Sequence, residues 1–291
     1  MPPASLPTPR SEPAIWARGD APYPEQLNDL PDPPEALYAF GDATVLDRPV
    51  VVIVGTRRSS AYGERVTRGL TVALARAGAC VVSGLAVGID AAAHRAALDV
   101  GGASCAVMGT GIDVVYPRAN RRLCQEIKDR GLVLSEYGPG VTARKWSFPR
   151  RNRILAGLAR LTIVVEAART SGALVTAGVA IDLGRTVAAV PGPVDAPESV
   201  GTNALIRDGA AVITDACDAL VLAGLTPWAG AAIALTPDET AVRDALGDGP
   251  APADIVTLRS RLPAARCLAA LTALQLAGLV AAGFDGVFSS I

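Results

Sequence analysis

The pattern of hydrophobic positions becomes regular at residue 50. From there on, short runs of apolar and mostly β-branched residues alternate with segments whose apolar residues recur at helical spacing. The runs lie at residues 50–54, 79–82, 104–108, 132–134, 161–165 and 186–190. Strands that are apolar along their whole length are buried on both faces, as in a parallel sheet covered by helices. The pattern therefore predicts an α/β fold built on an extended Rossmann-like, doubly wound and mostly parallel sheet.

The same reading divides the chain into four segments. Residues 1–20 are rich in Pro, Ser and Ala without any period, which predicts a disordered tail. Residues 21–225 form the predicted Rossmann-like domain, and residues 226–236, with two prolines and a glycine nearby, form a linker. Residues 237–291 hold three short helical patterns followed by a polar and aromatic end, which predicts a small winged-helix-like domain.

Composition excludes several classes of protein. The five cysteines are odd in number, far apart and without a C-x-x-C pair, which argues against a zinc site and a disulfide framework and favours a reducing cytoplasm. The chain shows no secretory leader and no apolar segment long enough to span a bilayer. G-x-G-x-x-G is missing after the first strand, and the G-K-[ST] of a P-loop is missing throughout. We therefore predict a cytoplasmic protein without metal, cofactor or membrane partner.

Charge is distributed unevenly along the chain. The net charge is −1, but residues 55–153 carry 16 Lys plus Arg against 7 Asp plus Glu, a local +9. The remainder carries 11 basic against 21 acidic residues, a local −10. Such an asymmetry favours a polyanionic partner at one face.

The most basic stretch is also aromatic. Residues 144–157 read R-K-W-S-F-P-R-R-N-R-I-L-A-G. Arg144, Lys145 and Arg150 could neutralise phosphates together with the arginines that follow, while Trp146 and Phe148 offer flat faces for unpaired bases. A solvated charged loop whose two aromatic side chains pack into the core would show the same composition. For Trp146 both interpretations stay open.

Loops that follow parallel strands meet at one edge of the sheet, where ligands bind in folds of this class. We expect the loop after the first strand, which carries Arg57, to face residues 150–153 across this edge. Small and hydroxyl-bearing residues of these loops could bind phosphate, although tight turns need the same residue types. They are Ser59, Ser60, Ser83, Gly84, Thr110 and Ser171.

Three titratable residues are candidates for catalysis. His94, the only histidine, follows Asp90 by four residues and shares its helical face, so the two could act as base and orienter or simply be structural. Glu166 directly follows the fifth run, where a nucleotide-processing hydrolase could keep an acid. No catalytic residue is assigned, and a phosphoribohydrolase-like enzyme stays the alternative to a binding protein.

Eight motifs in order then carry a resemblance. They are P-Y-P-E-Q-L with D-P-P-E-A-L-Y within residues 22–38, G-T-R-R-S-S-A-Y-G from Gly55, S-G-L-A-V-G-I-D-A-A-A-H from Ser83, G-T-G-I-D-V-V-Y-P-R-A-N from Gly109, F-P-R-R-N-R-I-L-A-G-L from Phe148, V-V-E-A from Val164 with S-G-A-L-V-T-A from Ser171, A-V-P-G-P from Ala189, and G-T-N-A-L-I-R-D-G-A from Gly201. Together they resemble the DprA/Smf family of DNA-processing proteins over residues 22–220.

The resemblance implies a function. Members are non-enzymatic, dimeric proteins that bind single-stranded DNA during natural transformation and load a RecA-type recombinase onto it. The expected DNA contacts are Arg57 of the first loop and Phe148, Arg151, Asn152 and Arg153 of the F-P-x-R-N-R motif. Arg144, Lys145 and Arg150 are added to them because of their charge.

Two departures qualify the resemblance. The match begins near the start of the chain, so we expect the additional N-terminal helical domain of many members, and its functions, to be absent. The predicted winged helix holds 4 Arg against 6 acidic residues from Thr236 onward, and only Arg266 lies on its expected recognition helix. A winged helix that reads duplex DNA normally does so through a basic helix, so we expect this one to contact protein or to bind duplex weakly.

Overall fold

The computed structural model describes residues 12–226, 235–247, 249–276, 279–283 and 286–290. It consists of two compact units, Met1–Trp228 and Ala229–Ile291. The first eleven residues of the predicted tail and residues 227–234 of the predicted linker lie outside the described ranges. Within those ranges no helix is long and apolar enough to cross a membrane.

Within the described residues, nine strands form the sheet of the first unit. They are β1 Ala14–Ala17, β2 Ala36–Gly41, β3 Val50–Val54, β4 Cys80–Ser83, β5 Ala103–Met108, β6 Leu132–Ser135, β7 Leu161–Val164, β8 Thr186–Ala189 and β9 Ala211–Val212. Their order is β1-β2-β6-β5-β4-β3-β7-β8-β9. The pairs β1–β2 and β2–β6 are antiparallel, and the other neighbours are parallel. The predicted mostly parallel Rossmann-like sheet is confirmed.

Helices cover both faces of this sheet. They are α1 Ala61–Arg76, α2 Ile89–Asp99, α3 Arg121–Arg130, α4 Ser147–Leu158, α5 Gly172–Asp182, α6 Val200–Arg207 and α7 Ala216–Leu222. Because successive residues of a strand point to opposite faces, Val52 of β3 shares a core with α4 and α5, whereas Val51 and Ile53 share another with α1, α2 and α7. This two-sided burial is the reason for the continuous apolar runs.

The predicted disordered tail is wrong for its last third. Residues 14–17 form β1, which pairs with β2 at the edge of the sheet, and Trp16 is only 5% exposed in the main core. Tyr23, a few residues later, is also buried and donates its hydroxyl hydrogen to the carbonyl of Pro34 at 2.8 Å. Pairing with β2 and the burial of Trp16 order this segment, although neither leaves a period in the sequence.

The second unit is a winged helix, as predicted. Its elements are α8 Pro237–Gly247, β10 Ala251–Pro252, α9 Ala253–Ser260, α10 Ala264–Leu276, β11 Val280–Ala282 and β12 Val287–Ser290. The three helices enclose a small core of their own, which includes Val242, Val256 and Leu271. The three strands pair in the order β10-β12-β11.

Candidate nucleic-acid interface

A cavity of about 740 Å³ opens at the carboxyl ends of the parallel strands. It lies beside β3, whose neighbours are β4 on one side and β7 on the other, so the loops after β3 and β7 leave in opposite directions and create a crevice. Three segments supply most of its walls: the loop after β3, the stretch that leads into α4, and the start of α5. The lining includes Thr56, Arg57, Arg58, Asp90, Tyr116, Arg144, Lys145, Phe148, Arg151, Asn152, Thr170, Ser171 and Gly172.

Most of the charged side chains in this lining are cationic. Four of them are exposed to solvent: Arg57, Arg58, Arg144 and Lys145. The fifth, Arg151, is buried at the floor, where Asp90 is the only carboxylate among the lining residues described. Burial raises the pKa of Asp90, while the positive charge of Arg151 partly opposes that shift. A concave wall of one charge sign concentrates an oppositely charged partner.

Two aromatic rings stand among these cations. The ring centroids of Phe148 and Tyr116 are 5.5 Å apart, and the planes are inclined by 43°. The Arg57 guanidinium lies 5.5 Å from the Phe148 centroid, within the range of a cation–π contact. Tyr116 is 48% exposed. Its part in the wall was not predicted, because the Y-P-R-A-N motif that contains it shows no sign of which way the ring faces.

The first turn of α4 is fastened to the sheet edge, which holds Phe148 in place. The Ser147 hydroxyl lies 2.5 Å from the carbonyl oxygen of Gly109 and 2.8 Å from that of Arg144, so its single hydrogen is shared between the two. Gly109 follows β5 and leaves room for the ring, because a Cβ there would lie 2.9 Å from Cδ1 of Phe148. The loop after β5 thus sets the depth at which Phe148 sits in the cavity.

Arg151 joins two strand ends beneath the cavity. Its Nη1 donates to the carbonyl of Gly84 at 2.7 Å and to the carbonyl of Val107. Burial lowers its pKa to about 10, and the nearby Asp90 partly offsets this effect. Gly84 permits the arrangement, since a Cβ there would lie 2.4 Å from Nη2 of Arg151 and 2.7 Å from Oδ2 of Asp90. Arg151 is therefore a structural support and also a fixed positive charge at the cavity floor.

Asn152 connects the two helices that border the cavity. Its Nδ2 donates to the carbonyl of Gly172, the first residue of α5, at 3.1 Å. Ser171 caps α5 by accepting from the N–H of Ala173 at 3.3 Å. Asn152 thus lines the cavity, and its contact with DNA stays a prediction.

The structure does not bring Arg150 and Arg153 to the cavity, which corrects the expectation for residues 150–153. Arg153 Nη2 lies 2.5 Å from Oε1 of Glu136, and Arg150 Nε lies 3.4 Å from Oε2 of the same carboxylate. Both arginines also approach Asp32. The electrostatic attraction of Glu136, followed by that of Asp32, raises the pKa of Arg150. Within one helix, residues three or four apart share a face, so Arg150 and Arg153 lie together and away from Phe148 and Arg151.

The predicted ligand-facing hydroxyls already have protein partners. Ser171 belongs to the cavity lining, whereas Ser59, Ser60, Ser83 and Thr110 do not. Ser59 donates to Oε1 of Glu64 at 2.8 Å, and the buried Ser83 donates to the carbonyl of Ile53 at 2.6 Å. Thr110 donates to the carbonyl of Val114 at 2.5 Å. Gly84 borders a small recess of about 90 Å³ next to the cavity. The hydroxyls serve turn geometry, as the alternative reading of the sequence allowed.

Glu166 and Ser60 anchor the start of α1. Ser60 is the N-cap: its Oγ accepts from the N–H of Gly63 at 3.0 Å and donates to Oε1 of Glu166, whose Oε2 accepts the Ser60 N–H at 3.0 Å. A Cβ on Gly63 would lie 2.1 Å from the Glu166 carboxylate. Glu166 is 3% exposed and outside the cavity lining. Its carboxylate is engaged in holding a helix end, as expected of an acid at a helix N-terminus.

Asp90 and His94 do not form a hydrogen-bonded pair in the described structure. Asp90 accepts the N–H of Ala86 at 3.2 Å, while Nδ1 of His94 is 2.8 Å from the Ser104 hydroxyl. His94 is fully buried, and burial lowers its pKa to about 3, with a further contribution from Arg151. An uncharged, buried imidazole fits the structural interpretation. Within the described part of the chain, no cluster of three or more His, Cys, Asp or Glu is arranged as a metal site.

Trp146 lies at the N-cap position of α4, and its side chain is 53% exposed. The centroids of its ring and of the Tyr137 ring are 6.1 Å apart in a T-shaped arrangement, and Trp146 is not part of the cavity lining. It is therefore not a core anchor. That its ring stacks on an unpaired base outside the cavity stays a prediction.

The fold and the cavity define the class: a Rossmann-like protein with a cationic, aromatic crevice at the switch point of its sheet, followed by a winged helix. Residues 14–223 match the family model described as DNA recombination-mediator protein A, and residues 226–286 match the DprA winged helix domain. The chain belongs to the DprA/Smf family.

Relatives and solved structures agree with this assignment. Protein Smf of Escherichia coli is 39% identical over 272 residues, which cover 89% of this chain and 73% of that protein. The X-ray structure of DNA processing protein A from Streptococcus pneumoniae superposes with a TM-score of 0.70 at 43% identity, covering 72% of this chain and 74% of that one. A structure of the Helicobacter pylori protein, which concerns its single-stranded DNA binding mode, has a TM-score of 0.65 at 34% identity, covering 70% of this chain and 94% of that one.

The match is partial for other relatives. The chain spans 56% of Protein Smf from Synechocystis, to which it is 42% identical over 222 residues. It spans 66% of the putative DNA processing protein DprA of Mycobacterium tuberculosis, at 43% identity over 257 residues.

Proposed function

We propose that this protein binds single-stranded DNA in the cavity at the switch point of its sheet. The observation that carries the proposal is the presence of four exposed cations and two accessible aromatic rings in one crevice. In this proposal Arg57, Arg58, Arg144 and Lys145 neutralise phosphates, while Phe148 and Tyr116 stack on bases. Arg151 and Asn152 hold the floor and the border of the site.

The geometry favours unpaired bases over a duplex. In a duplex the base faces are stacked on one another, so the rings of Phe148 and Tyr116 would have nothing to contact. Stacking on aromatic rings tolerates any base, because each base has a flat face. We therefore expect binding that depends strongly on salt and weakly on sequence.

The wider role follows from the family. The Helicobacter pylori relative, whose single-stranded DNA binding mode has been described, supports the same ligand for this chain. We propose that the protein acts as a homodimer without catalysis, protects incoming single strands during natural transformation and recombination, and places a RecA-type recombinase on them. Stimulation of recombinase assembly on DNA already coated by a single-strand-binding protein is the measurement for that step, and light scattering gives the oligomeric state.

The winged helix is proposed to contact protein or to bind duplex weakly. Arg266, the cation on α10, is already held by Asp238 through two contacts of 2.7 and 2.5 Å. A bidentate pair of this kind leaves the guanidinium less free to contact a phosphate.

Fluorescence anisotropy with a short labelled oligothymidylate and a matched duplex tests the site. The triple substitution R57E/R144E/K145E reverses three exposed cavity charges and should abolish single-strand binding. A matched triple, R68E/R122E/R207E, reverses three exposed charges outside the cavity lining, each in a surface ion pair, and should bind nearly as the parent does. Equal affinity of both triples, or a preference for duplex, would reject this site.

A further inference from the structure

The two faces of α4 have different partners. Phe148, Arg151, Asn152 and Leu155 all line the cavity. Their spacing of i, i+3, i+4 and i+7 is that of one helical face. The other face carries Arg150, Arg153 and Gly157, again three and four residues apart. The rotation of this helix about its axis therefore determines which of its side chains face the cavity.

A network of charges holds the second face. Arg153 Nη2 lies 2.5 Å from Oε1 of Glu136, the residue after β6, and 3.7 Å from Oδ2 of Asp32. Arg150 adds contacts of 3.4 Å to both carboxylates. The network thus connects α4 with the end of a sheet strand and with the segment that precedes β2.

Close packing limits the same face further along the helix. A Cβ on Gly157 would lie 2.9 Å from Cδ2 of Leu27 and 3.2 Å from Cδ1 of Leu30. Both leucines are buried in the main core. The segment before β2 therefore presses against α4 one turn beyond Arg153, and the helix has little freedom to roll.

Arg153 is shielded from a ligand in the cavity. Its side chain is 12% exposed and that of Glu136 is 13% exposed. Nη2 is occupied by Glu136, while Nε and Nη1 are buried and have no hydrogen-bond partner in the described structure. A phosphate could reach these nitrogens only if the network opened.

We propose that Arg153 and Glu136 are a positioning pair, which sets the rotation of α4 and so aims Phe148 and Arg151 into the cavity without touching DNA. The inference rests on the proposed single-strand site and refines it. The fourth arginine of the basic stretch thereby changes its role from phosphate ligand to support. Within the described residues, removal of Glu136 leaves Arg153 with only the 3.7 Å contact to Asp32, and removal of Arg153 leaves Glu136 with only its longer contacts to Arg150. Because the pair is mostly buried, we expect α4 to shift in either case.

The effect of Glu136→Gln has opposite signs in the two interpretations. If Arg153 contacts phosphate, Glu136 competes with DNA for it, and removing the carboxylate strengthens binding. If the pair positions α4, removing the carboxylate weakens binding as Arg153→Gln does. The double variant then loses no more affinity for single-stranded DNA than the single variant with the larger loss, because the two residues act as one unit.

Affinity for a labelled oligothymidylate is measured across a salt series for E136Q, R153Q and the double variant. We expect each single variant to bind about 3- to 30-fold more weakly, as for residues coupled in one network, with the slope of log K against log salt unchanged. Tighter binding by E136Q, a smaller slope for R153Q, or additive losses would overturn the proposal.

A second cycle separates positioning from loss of overall stability. In an F148A background the E136Q substitution should have a much smaller effect, because the ring that the pair aims is gone. An undiminished effect would show that the pair does not act through Phe148. If R153Q does not fold, R153M serves in its place, because its long apolar side chain cannot make the contacts of Nη2 to Glu136 and Asp32. Parent-like affinity of R153M would overturn the proposal.

The triple charge reversal tests the proposed single-strand site independently of the positioning pair. If R57E/R144E/K145E binds as well as the parent, the proposed single-strand site is wrong. If that triple loses binding while E136Q binds more tightly, the site stands and only the positioning role fails.

Discussion

Replacing Arg57 with alanine tests whether the cavity cations contact phosphates. Arg57 is exposed, lines the cavity and lies 5.5 Å from the Phe148 ring centroid. Its removal takes away one charge and also the cation–π contact. Affinity alone would mix the two effects, whereas the salt dependence reports only phosphate contacts.

The expected magnitude follows from the count of exposed cations. With Arg57, Arg58, Arg144 and Lys145 each neutralising one phosphate, the slope of log K against log salt is about −0.7 × 4, or about −2.8 per protomer, for a single strand. Raising salt from about 50 to about 200 mM should then lower affinity about 50-fold in the parent. In R57A the slope falls to about −2.1 and the loss to about 18-fold.

Anisotropy titrations at four or more salt concentrations measure this slope. R57K should keep the slope and lose some affinity, because a lysine stacks less well on an aromatic ring. R122A is the matched control, since Arg122 is almost fully exposed on α3, where it forms an ion pair with Glu126. A slope in R57A equal to that of the parent would refute the assignment of Arg57 to a phosphate, whatever happened to its affinity.

Four further outcomes test the site and the fold. F148A should weaken single-strand binding by about 1–3 kcal/mol for the lost base stack without changing the salt slope, and F148Y should restore most of it; a changed slope would contradict the stacking role. G84A should destabilise the first unit by about 1–3 kcal/mol in urea unfolding, because its Cβ would overlap the buried Arg151 and Asp90 side chains. W16A should cost about 3–5 kcal/mol of unfolding free energy, whereas I15A, on the exposed face of the same strand, should cost little; equal losses would contradict the order assigned to β1. The pKa of His94 is lowered to about 3 in the folded state, so below about pH 6.5 the unfolded state binds a proton that the folded state does not, and stability falls by about 2 kcal/mol between pH 7 and pH 5; the difference between the parent and H94N should show this loss, and a pH-independent difference would refute it.

Some elements are visible in the sequence because they depend on local patterns. The run Val50–Val54 is buried at every position as β3, and the helical spacing after it corresponds to α1. Strand β1 is not visible in the sequence, because four residues of which only Trp16 is fully buried show no period. Its order comes from pairing with β2, which follows many residues later.

The candidate site, like the fold, can be predicted from the sequence only in part. The basic stretch and the first loop were placed at the sheet edge from the sequence, since loops after parallel strands must leave from the same edge. Tyr116 was not assigned, because nothing local determines the direction of its ring. The hydroxyls of Ser83 and Thr110 were considered as ligands because their partners, the carbonyls of Ile53 and Val114, depend on how strands and loops pack.

The α/β architecture, the family, and the concentration of charge and aromatic residues that points to nucleic acid can all be predicted from the chain alone. These properties are carried by periodicity, composition and ordered motifs. Which cations face the cavity depends instead on how the chain folds. Neighbouring residues of a helix point in different directions, and Glu136 and Asp32 arrive from other segments to neutralise Arg150 and Arg153. The basic stretch is thus divided by the rotation of α4 into a cavity face and an anchored face, a division that depends on long-range contacts and on no local pattern.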